Sequence, residues 1–282
     1  MTTNNDTSSL LAAMKEANQS FKYDVMIPSL NRNVPFSEIS TAQQKKLIKS
    51  IIDSEIYNTE FILCMYEIIR DNCGDDSVDV SALTILDKLV ILIKMRIISV
   101  GEEIDISLPS KIDDDVNISA TVNLDKLLKK VESKIQHISD EEYSISQYRV
   151  VCGIPSIEDE YKLENELRSH HEEISINNMQ ELRTNIGEKF IGELSKYIKT
   201  IYIPTETESI QVNLTDLSFN DRIQLVEQLP ARCLDQALAY IKNVDELVQQ
   251  VTLYKGTFVH KNKEKEKFEY NITLDSSFFI NS

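Results

Sequence analysis

The chain has 282 residues, of which 41% are hydrophobic, and 46 acidic residues against 30 basic ones give a formal net charge of −16. This charge argues against a general nucleic-acid binder, which needs a basic surface, and is typical of a soluble protein or one that meets basic protein surfaces. The four cysteines, Cys64, Cys73, Cys152 and Cys233, form no Cys-x-x-Cys pair. Their spread predicts free thiols rather than disulfides or a zinc site.

Residues 1–20 are rich in Thr, Asn and Ser and have neither the basic start nor the apolar run of a signal peptide. We expect a flexible tail, with one helical turn at Leu10–Met14 as the alternative. The protein is expected to act in the compartment where it is made.

Residues 21–101 predict a hairpin followed by three helices. Tyr23, Val25 and Ile27 alternate with polar or smaller neighbours, as in a half-buried strand, and a return strand is expected over 34–39. Pro35 confines that strand to a sheet edge. Helices are predicted over about 41–54 and 60–71, and the third helix is the most hydrophobic segment of the chain, Leu83–Glu103.

Four charged residues interrupt this third segment: Asp87, Lys88, Lys94 and Arg96. Their density argues against a membrane span, which needs about 20 mostly apolar residues, and favours a buried helix. Ser81 is expected to cap its start and Gly101 to end it. Arg96 shares a face with Leu89, so we expect its side chain either to reach solvent or to find an acidic partner.

Residues 102–160 predict a small sheet with one helix. Strands are expected near 104–108 and 118–122, joined by a turn at Asp113–Asp115, and again from Tyr148 to Pro155. The helix is expected over 124–135.

Residues 161–282 predict a helical region that ends in a hairpin. Helices are expected at 159–171, 179–199, 219–226 and 231–241, with a strand, turn and strand at 201–212. A hairpin of 248–258 and 268–274 follows, with His260 on its exposed, lysine-rich tip. The fold class is therefore α+β, with an N-terminal β-hairpin plus helices, a small central sheet and C-terminal helices with a terminal β-hairpin. Its segments are 1–20, 21–101, 102–160 and 161–282.

No motif in the chain carries recognisable catalytic chemistry. Gly187 and Gly192 have the spacing of a phosphate loop, but Glu193 and Leu194 follow where Lys and Ser or Thr are required. Cys152 precedes a glycine, yet no nearby motif offers it a base. The acidic runs Asp113–Asp115 and Glu158–Glu160 lack the order of a calcium loop. We expect no enzyme, cofactor, metal, nucleic acid or membrane, and keep a Cys152 hydrolase only as a third hypothesis.

Phe278 and Phe279 stand close to the end of the chain, where two exposed aromatic side chains would be costly. They are expected to dock, either into the protein's own core or into a partner. Arg96, Asp87, Phe278 and Phe279 are the candidate interaction residues.

Several segments follow one another along the chain: Tyr23-Asp-Val-Met-Ile-Pro-Ser with Val34-Pro-Phe, Leu86-Asp87 through Arg96-Ile-Ile-Ser-Val-Gly-Glu, Cys152-Gly-Ile-Pro-Ser-Ile-Glu-Asp-Glu, and Leu274-Asp-Ser-Ser-Phe-Phe. In this order they resemble the baseplate hub and hub-assembly proteins of T4-like contractile-tailed phages. Some relatives have a cysteine pair in the C-terminal hairpin, where this chain has Lys255-Gly256 and His260-Lys261. The resemblance therefore does not extend to a metal knuckle there.

The resemblance implies a non-enzymatic structural or assembly protein that binds other phage tail and baseplate proteins, with the tape-measure protein as one candidate partner. It implies action in the host cytoplasm during assembly, with presence in the tail baseplate of the virion and homo-oligomer formation left open. The alternative from the acidic composition is a phage-encoded regulator that binds a basic host protein surface.

Overall fold

The computed structural model describes residues 7–52, 59–171, 187, 189–206, 208–274 and 276–279. The helices are α1 (Thr7–Ser20), α2 (Thr41–Ile52), α3 (Thr59–Asn72), α4 (Ile85–Ser99), α5 (Leu124–Lys129), α6 (Glu132–Ile135), α7 (Ile157–His171), α8 (189–195), α9 (Phe219–Glu227) and α10 (Ala231–Thr252). The strands are β1 (Lys22–Ile27), β2 (Arg32–Ser37), β3 (Glu103–Pro109), β4 (Asn117–Asn123), β5 (Glu141–Ile145), β6 (Tyr148–Cys152), β7 (Ile198–Pro204), β8 (Ser209–Asn213), β9 (Leu253–Val259) and β10 (Lys265–Asn271). This content confirms the α+β class.

The strands form small antiparallel sheets. β1 pairs with β2, β3 with β4, and β9 with β10, each as a two-stranded hairpin. The central sheet has four strands in the order β5-β6-β7-β8. Inward residues alternate with outward ones as the pleat requires; in the first hairpin Val25 lies opposite Val34, and both are buried.

Four of the helices in the described ranges begin with the same local motif, a capping box. A Ser or Thr oxygen accepts the backbone N–H three residues ahead, and the side chain at that later position interacts with the capping residue. The pairs are Ser40 with Gln43, Thr84 with Asp87, Ser156 with Asp159, and Ser218 with Asp221. These boxes fix the starts of α2, α4, α7 and α9.

The start of α4 differs from the prediction. The helix begins at Ile85 with Thr84 as its cap, whereas Ser81 lies in a preceding short 3-10 helix that Asp79 caps. Thr84 caps the helix because it has an acidic partner three residues ahead. The predicted glycine exit is confirmed, since Gly101 has a φ of +127°.

Several other boundaries were predicted wrongly. Residues 7–20 form the helix α1, where a flexible tail with at most one helical turn was expected, because Leu, Ala, Met, Lys and Glu favour helix over the Thr, Asn and Ser around them. α10 extends to Thr252, since Val244 and Val251 continue its buried stripe, so residues 248–252 are not strand. The structure adds β5, which was not predicted. The predicted helix over 179–199 lies partly outside the described residues, and its last two positions belong to β7.

One main hydrophobic cluster runs from Val25 in β1 to Phe279 near the end of the chain. α4 lies within it, and most of the residues of this helix are buried. The cluster is continuous across positions 101 and 160, where segment boundaries were expected. The division into segments stays a prediction.

The C-terminal hairpin has a built-in requirement for glycine. Gly256 lies opposite Phe268 in the β9–β10 register, and a Cβ at Gly256 would overlap the ring of Phe268. The ring lies over the glycine and is itself buried. This close approach explains why a residue without a side chain occupies the middle of β9.

Candidate functional site

Arg96 lies in the last turn of α4 and is only 5% exposed. Its guanidinium donates from Nη1 to the carbonyl of Gly101 and from Nη2 to the carbonyl of Glu103, at 3.3 Å. In the described part of the chain no carboxylate pairs with it, and its buried Nε has no hydrogen-bond partner. The side chain of Arg96 therefore neither reaches solvent nor finds an acidic partner among the described residues, and these were the two predicted alternatives. Backbone carbonyls of the segment that follows α4 replace them, and the position of Arg96 in the last turn is favoured by the helix dipole.

The C-terminal aromatic pair meets this arginine. The Cζ of Arg96 lies 6.0 Å from the centre of the Phe278 ring, within range of a cation–π contact. Phe278 and Phe279 pack edge to face, with ring centres 5.1 Å apart, and are 4% and 1% exposed. Gln44 in α2 donates to the Phe279 carbonyl at 3.1 Å. Of the two docking alternatives, the structure therefore shows the protein's own core.

Asp87 lies at the opposite end of α4 and is fully buried. It accepts hydrogen bonds from the backbone N–H of Thr84 at 2.8 Å and from the backbone N–H of Ser29 at 2.9 Å. Ser29 belongs to the turn between β1 and β2, so this carboxylate joins the first hairpin to the helix. At 1.5 Å per residue, Asp87 lies about 13 Å from Arg96 along the helix. The structure brings Arg96, Phe278 and Phe279 together, and places Asp87 elsewhere; a partner-binding role for the four stays a prediction.

The two lysines of α4 form ion pairs with other helices. Lys94 contacts Asp125 of α5 at 2.7 Å, and Lys88 contacts Glu160 of α7. Burial alone would raise the pKa of Glu160, but Lys88 and then Lys196 outweigh burial and leave this pKa below its usual value. The sequence could not identify these partners because they are 31 and 72 residues away from the lysines.

Cys152 lies in the core, in surroundings that favour the protonated thiol. It ends β6 and is fully buried, and burial, followed by Glu141 and Asp140, raises the pKa of its thiol to about 12. A thiol with that pKa is protonated at neutral pH, whereas nucleophilic cysteines work as thiolates. The geometry gives the Cys152 hydrolase hypothesis no support.

His260 was expected on the surface and is instead buried in a polar cluster. Its Nε2 lies 2.9 Å from Oε2 of Glu266, which also accepts from the Ser110 hydroxyl at 2.6 Å. The second oxygen of Glu266 accepts from the backbone N–H of Lys111 at 2.7 Å. The hairpin tip therefore folds against the loop between β3 and β4. Glu266 and Phe268 share the inward face of β10, and this alternation is the signal that sequence reasoning missed.

The Ser110–Glu266–His260 cluster contains a serine, a carboxylate and a histidine, but not in the order that acyl transfer needs. In a serine hydrolase the histidine must take the proton of the serine hydroxyl. Here Ser110 donates that proton to Glu266, and its oxygen accepts from the N–H groups of Ile112 and Asp113 at 3.0 and 3.1 Å. The hydroxyl is used in holding the loop, so the cluster is structural.

No group of residues in the described ranges has the arrangement of a metal site. Asp113 caps its own turn by accepting from the N–H of Asp115, and Asp159 belongs to the capping box of α7. No described helix is both long and apolar enough to cross a membrane.

Truncation of Phe278 tests how much the fold depends on the docked C-terminal aromatics. We expect Phe278→Ala to lower the free energy of unfolding by about 3–5 kcal/mol, because it opens a cavity beside Arg96. Phe21→Ala is the matched control: Phe21 is 68% exposed, so its removal should change the same quantity by less than about 0.5 kcal/mol. Denaturant titration of both variants measures the difference, and equal effects would show that the Phe278 contact is not structural.

The environment of Glu266 predicts a specific pH dependence of the stability of the fold. The Ser110 hydroxyl, followed by the Lys111 N–H and His260, holds the pKa of Glu266 below its ordinary value of 4.5. A carboxyl whose folded pKa is depressed contributes stability above its unfolded pKa and loses it as the pH falls through the folded pKa. Glu266→Gln should therefore lower the melting temperature at pH 7. The difference in melting temperature between the variant and the wild type should become smaller toward about pH 3.

Two controls isolate this effect of Glu266. Glu264→Gln changes an exposed glutamate of the same hairpin and should show no comparable gap. Repeating the comparison in a His260→Asn background removes the imidazole, so that the remaining pH dependence belongs to the carboxylate. A gap that stayed constant from pH 7 to about pH 3 would contradict the assignment.

The family described as T4 bacteriophage base plate protein matches residues 19–271, which span every element from β1 to β10. No curated protein and no solved structure shows significant similarity to the chain. The match covers well over half of the sequence. The chain belongs to the T4 bacteriophage base plate protein family.

Proposed function

We propose that the chain is a non-enzymatic protein of the baseplate hub, either a hub subunit or a factor that assembles the hub. The observation that carries the proposal is the family match over residues 19–271, which includes nearly all of the hydrophobic core. The ordered segments that resemble hub proteins support the hub as its place in the baseplate. Its partners are then other tail and baseplate proteins.

The use of polar groups supports a structural rather than a catalytic role. Asp87, Arg96 and Glu266 are buried, and each is engaged mainly by backbone groups or by a serine of the same chain. Cys152 is held as a buried thiol. Buried groups that hold elements of the fold together are not available to act on a substrate.

The proposal can be tested in phage with a stop codon in this gene. We expect particles without complete baseplates, and restoration when the chain is supplied in trans. Proteomics of the restored particles separates the two roles: stoichiometric recovery identifies a hub subunit, and absence from the particle identifies an assembly factor. A Cys152→Ala chain should restore growth as well as wild type, because the thiol only fills space in the core.

Normal baseplates and full infectivity without the chain would overturn the hub role. That outcome would favour the alternative, a regulator that binds a basic host surface, which the net charge of −16 supports. If the Cys152→Ala chain folded but did not restore growth, while the wild-type chain did, the result would favour the hydrolase hypothesis.

A finer part of the proposal is that the chain shields the tape-measure protein, whose long helices need covering before assembly. α1 lies almost entirely before the family match, and its described side chains are exposed. Leu10 and Met14, 47% and 63% exposed, are one helical turn apart and therefore form an apolar strip. Such a strip fits the apolar face of another amphipathic helix.

Co-expression of the chain with the tape-measure protein tests this part separately. Leu10→Ser with Met14→Ser should abolish co-purification, because it removes the apolar strip while leaving the core intact. Ala12→Ser with Glu16→Gln, on the opposite side of α1, is the matched control and should retain the partner. The tape-measure partner would be contradicted if both variants still co-purified with it, or if the wild-type chain did not co-purify with it at all. Neither result would bear on the hub role.

A further inference from the structure

β8 is an outer strand of the central sheet. Within the described residues it pairs only with β7, so its other edge presents backbone N–H and C=O groups to solvent. Proteins usually protect such an edge with proline or with charged residues, most often lysine. β8 reads Ser-Ile-Gln-Val-Asn and has none of these, whereas β5, at the other edge of the sheet, begins with Glu141 and Glu142.

The register shows which backbone groups of β8 are free. The N–H of Thr205 donates to the carbonyl of Glu208 at 2.8 Å, which closes the turn before β8. Hydrogen-bonded pairs alternate along an antiparallel ladder. Ile210 and Val212, two and four residues beyond Glu208, therefore direct their backbone groups toward β7. The groups that point outward belong to Ser209, Gln211 and Asn213.

These outward groups are complementary to a second copy of themselves. If two β8 strands run antiparallel with Gln211 opposite Gln211, then Ser209 lies opposite Asn213. All the outward residues then fall in hydrogen-bonded pairs, and no like charges face each other across the strands. A partner related by two-fold symmetry is therefore accommodated by the sequence of the strand itself.

The side chains support the same register. Ile210 is 52% exposed, and Val212, on the same face of the strand, is half-buried. With Gln211 at the symmetry axis, Ile210 of one copy lies directly opposite Val212 of the other, on both sides of the axis. Pairing would remove from water an apolar side chain that the single chain leaves exposed.

We infer that β8 is a self-pairing edge, through which two copies of the chain join their central sheets into one continuous antiparallel sheet. The inference does not depend on the hub role. Glu206 and Glu208 precede the strand and Asp216 follows it, so like charges approach at both ends of the paired strands. The dimer should therefore be stronger at high ionic strength, where these charges are screened.

Sedimentation velocity of the full chain, at about 1–100 µM and at about 0.05 and 0.5 M NaCl, tests the inference. We expect a reversible dimer that strengthens with salt. Gln211→Pro removes an outward N–H without touching the β7 ladder, and Ile210→Lys places a charge at the interface. Each should weaken dimerisation by about tenfold or more. Val259→Lys, at a 56% exposed position in the β9–β10 hairpin, is the matched control and should have no effect.

A monomer at every concentration and salt, or a dimer that both β8 variants leave unchanged, would overturn the inference. Should the variants fail to fold, hydrogen exchange on the wild-type chain decides. The amides of Ser209, Gln211 and Asn213 should gain protection as the protein concentration rises. Equal exchange at low and high concentration, in a sample that dimerises, would place the interface elsewhere.

Discussion

The fold depends on how α4 keeps two charges inside the core. Asp87 in its first turn and Arg96 in its last turn are both buried, yet they do not pair with each other. Each is satisfied mainly by backbone groups, N–H groups at one end and carbonyls at the other. Each also lies at the helix end whose dipole favours its sign. A buried charge left without such partners would be strongly destabilising, so both ends of α4 are fixed in place.

These two ends gather parts of the chain that are far apart in sequence. The first hairpin reaches Asp87 through Ser29, 58 residues away. The C-terminal 3-10 helix contacts Arg96 through the ring of Phe278. The carbonyl of Phe279 accepts a hydrogen bond from the side chain of Gln44, which is 235 residues away in the sequence. Contacts of such long range close large loops, and their entropic cost is recovered only when the core around α4 forms. The core is therefore expected to assemble cooperatively around this helix.

The sequence predicted what local patterns determine and missed what distant residues decide. Alternation in β1, β3 and β4 and helical periodicity in α2, α3 and α4 placed the elements, because period and burial are linked within a few residues. The Thr84-x-x-Asp87 box is readable in the sequence, although Ser81 was the predicted cap. His260 and Lys88 could not be placed, because their partners are defined only once the β9–β10 hairpin and α7 have packed. For the same reason the sequence singled out Arg96 and Phe278 without indicating that they meet.

For a member of a baseplate family, the remaining question is how an acidic chain makes specific contacts. A net charge of −16 repels other copies and other acidic proteins at long range, and this repulsion is screened beyond about 10 Å at ordinary ionic strength. An interface on such a surface must therefore rest on short-range, directional interactions. A neutral strand edge supplies these as backbone hydrogen bonds, whose geometry fixes one register and whose strength does not depend on charge. The two edges of the central sheet differ in this respect: glutamates at β5 oppose pairing, whereas the uncharged β8 permits it.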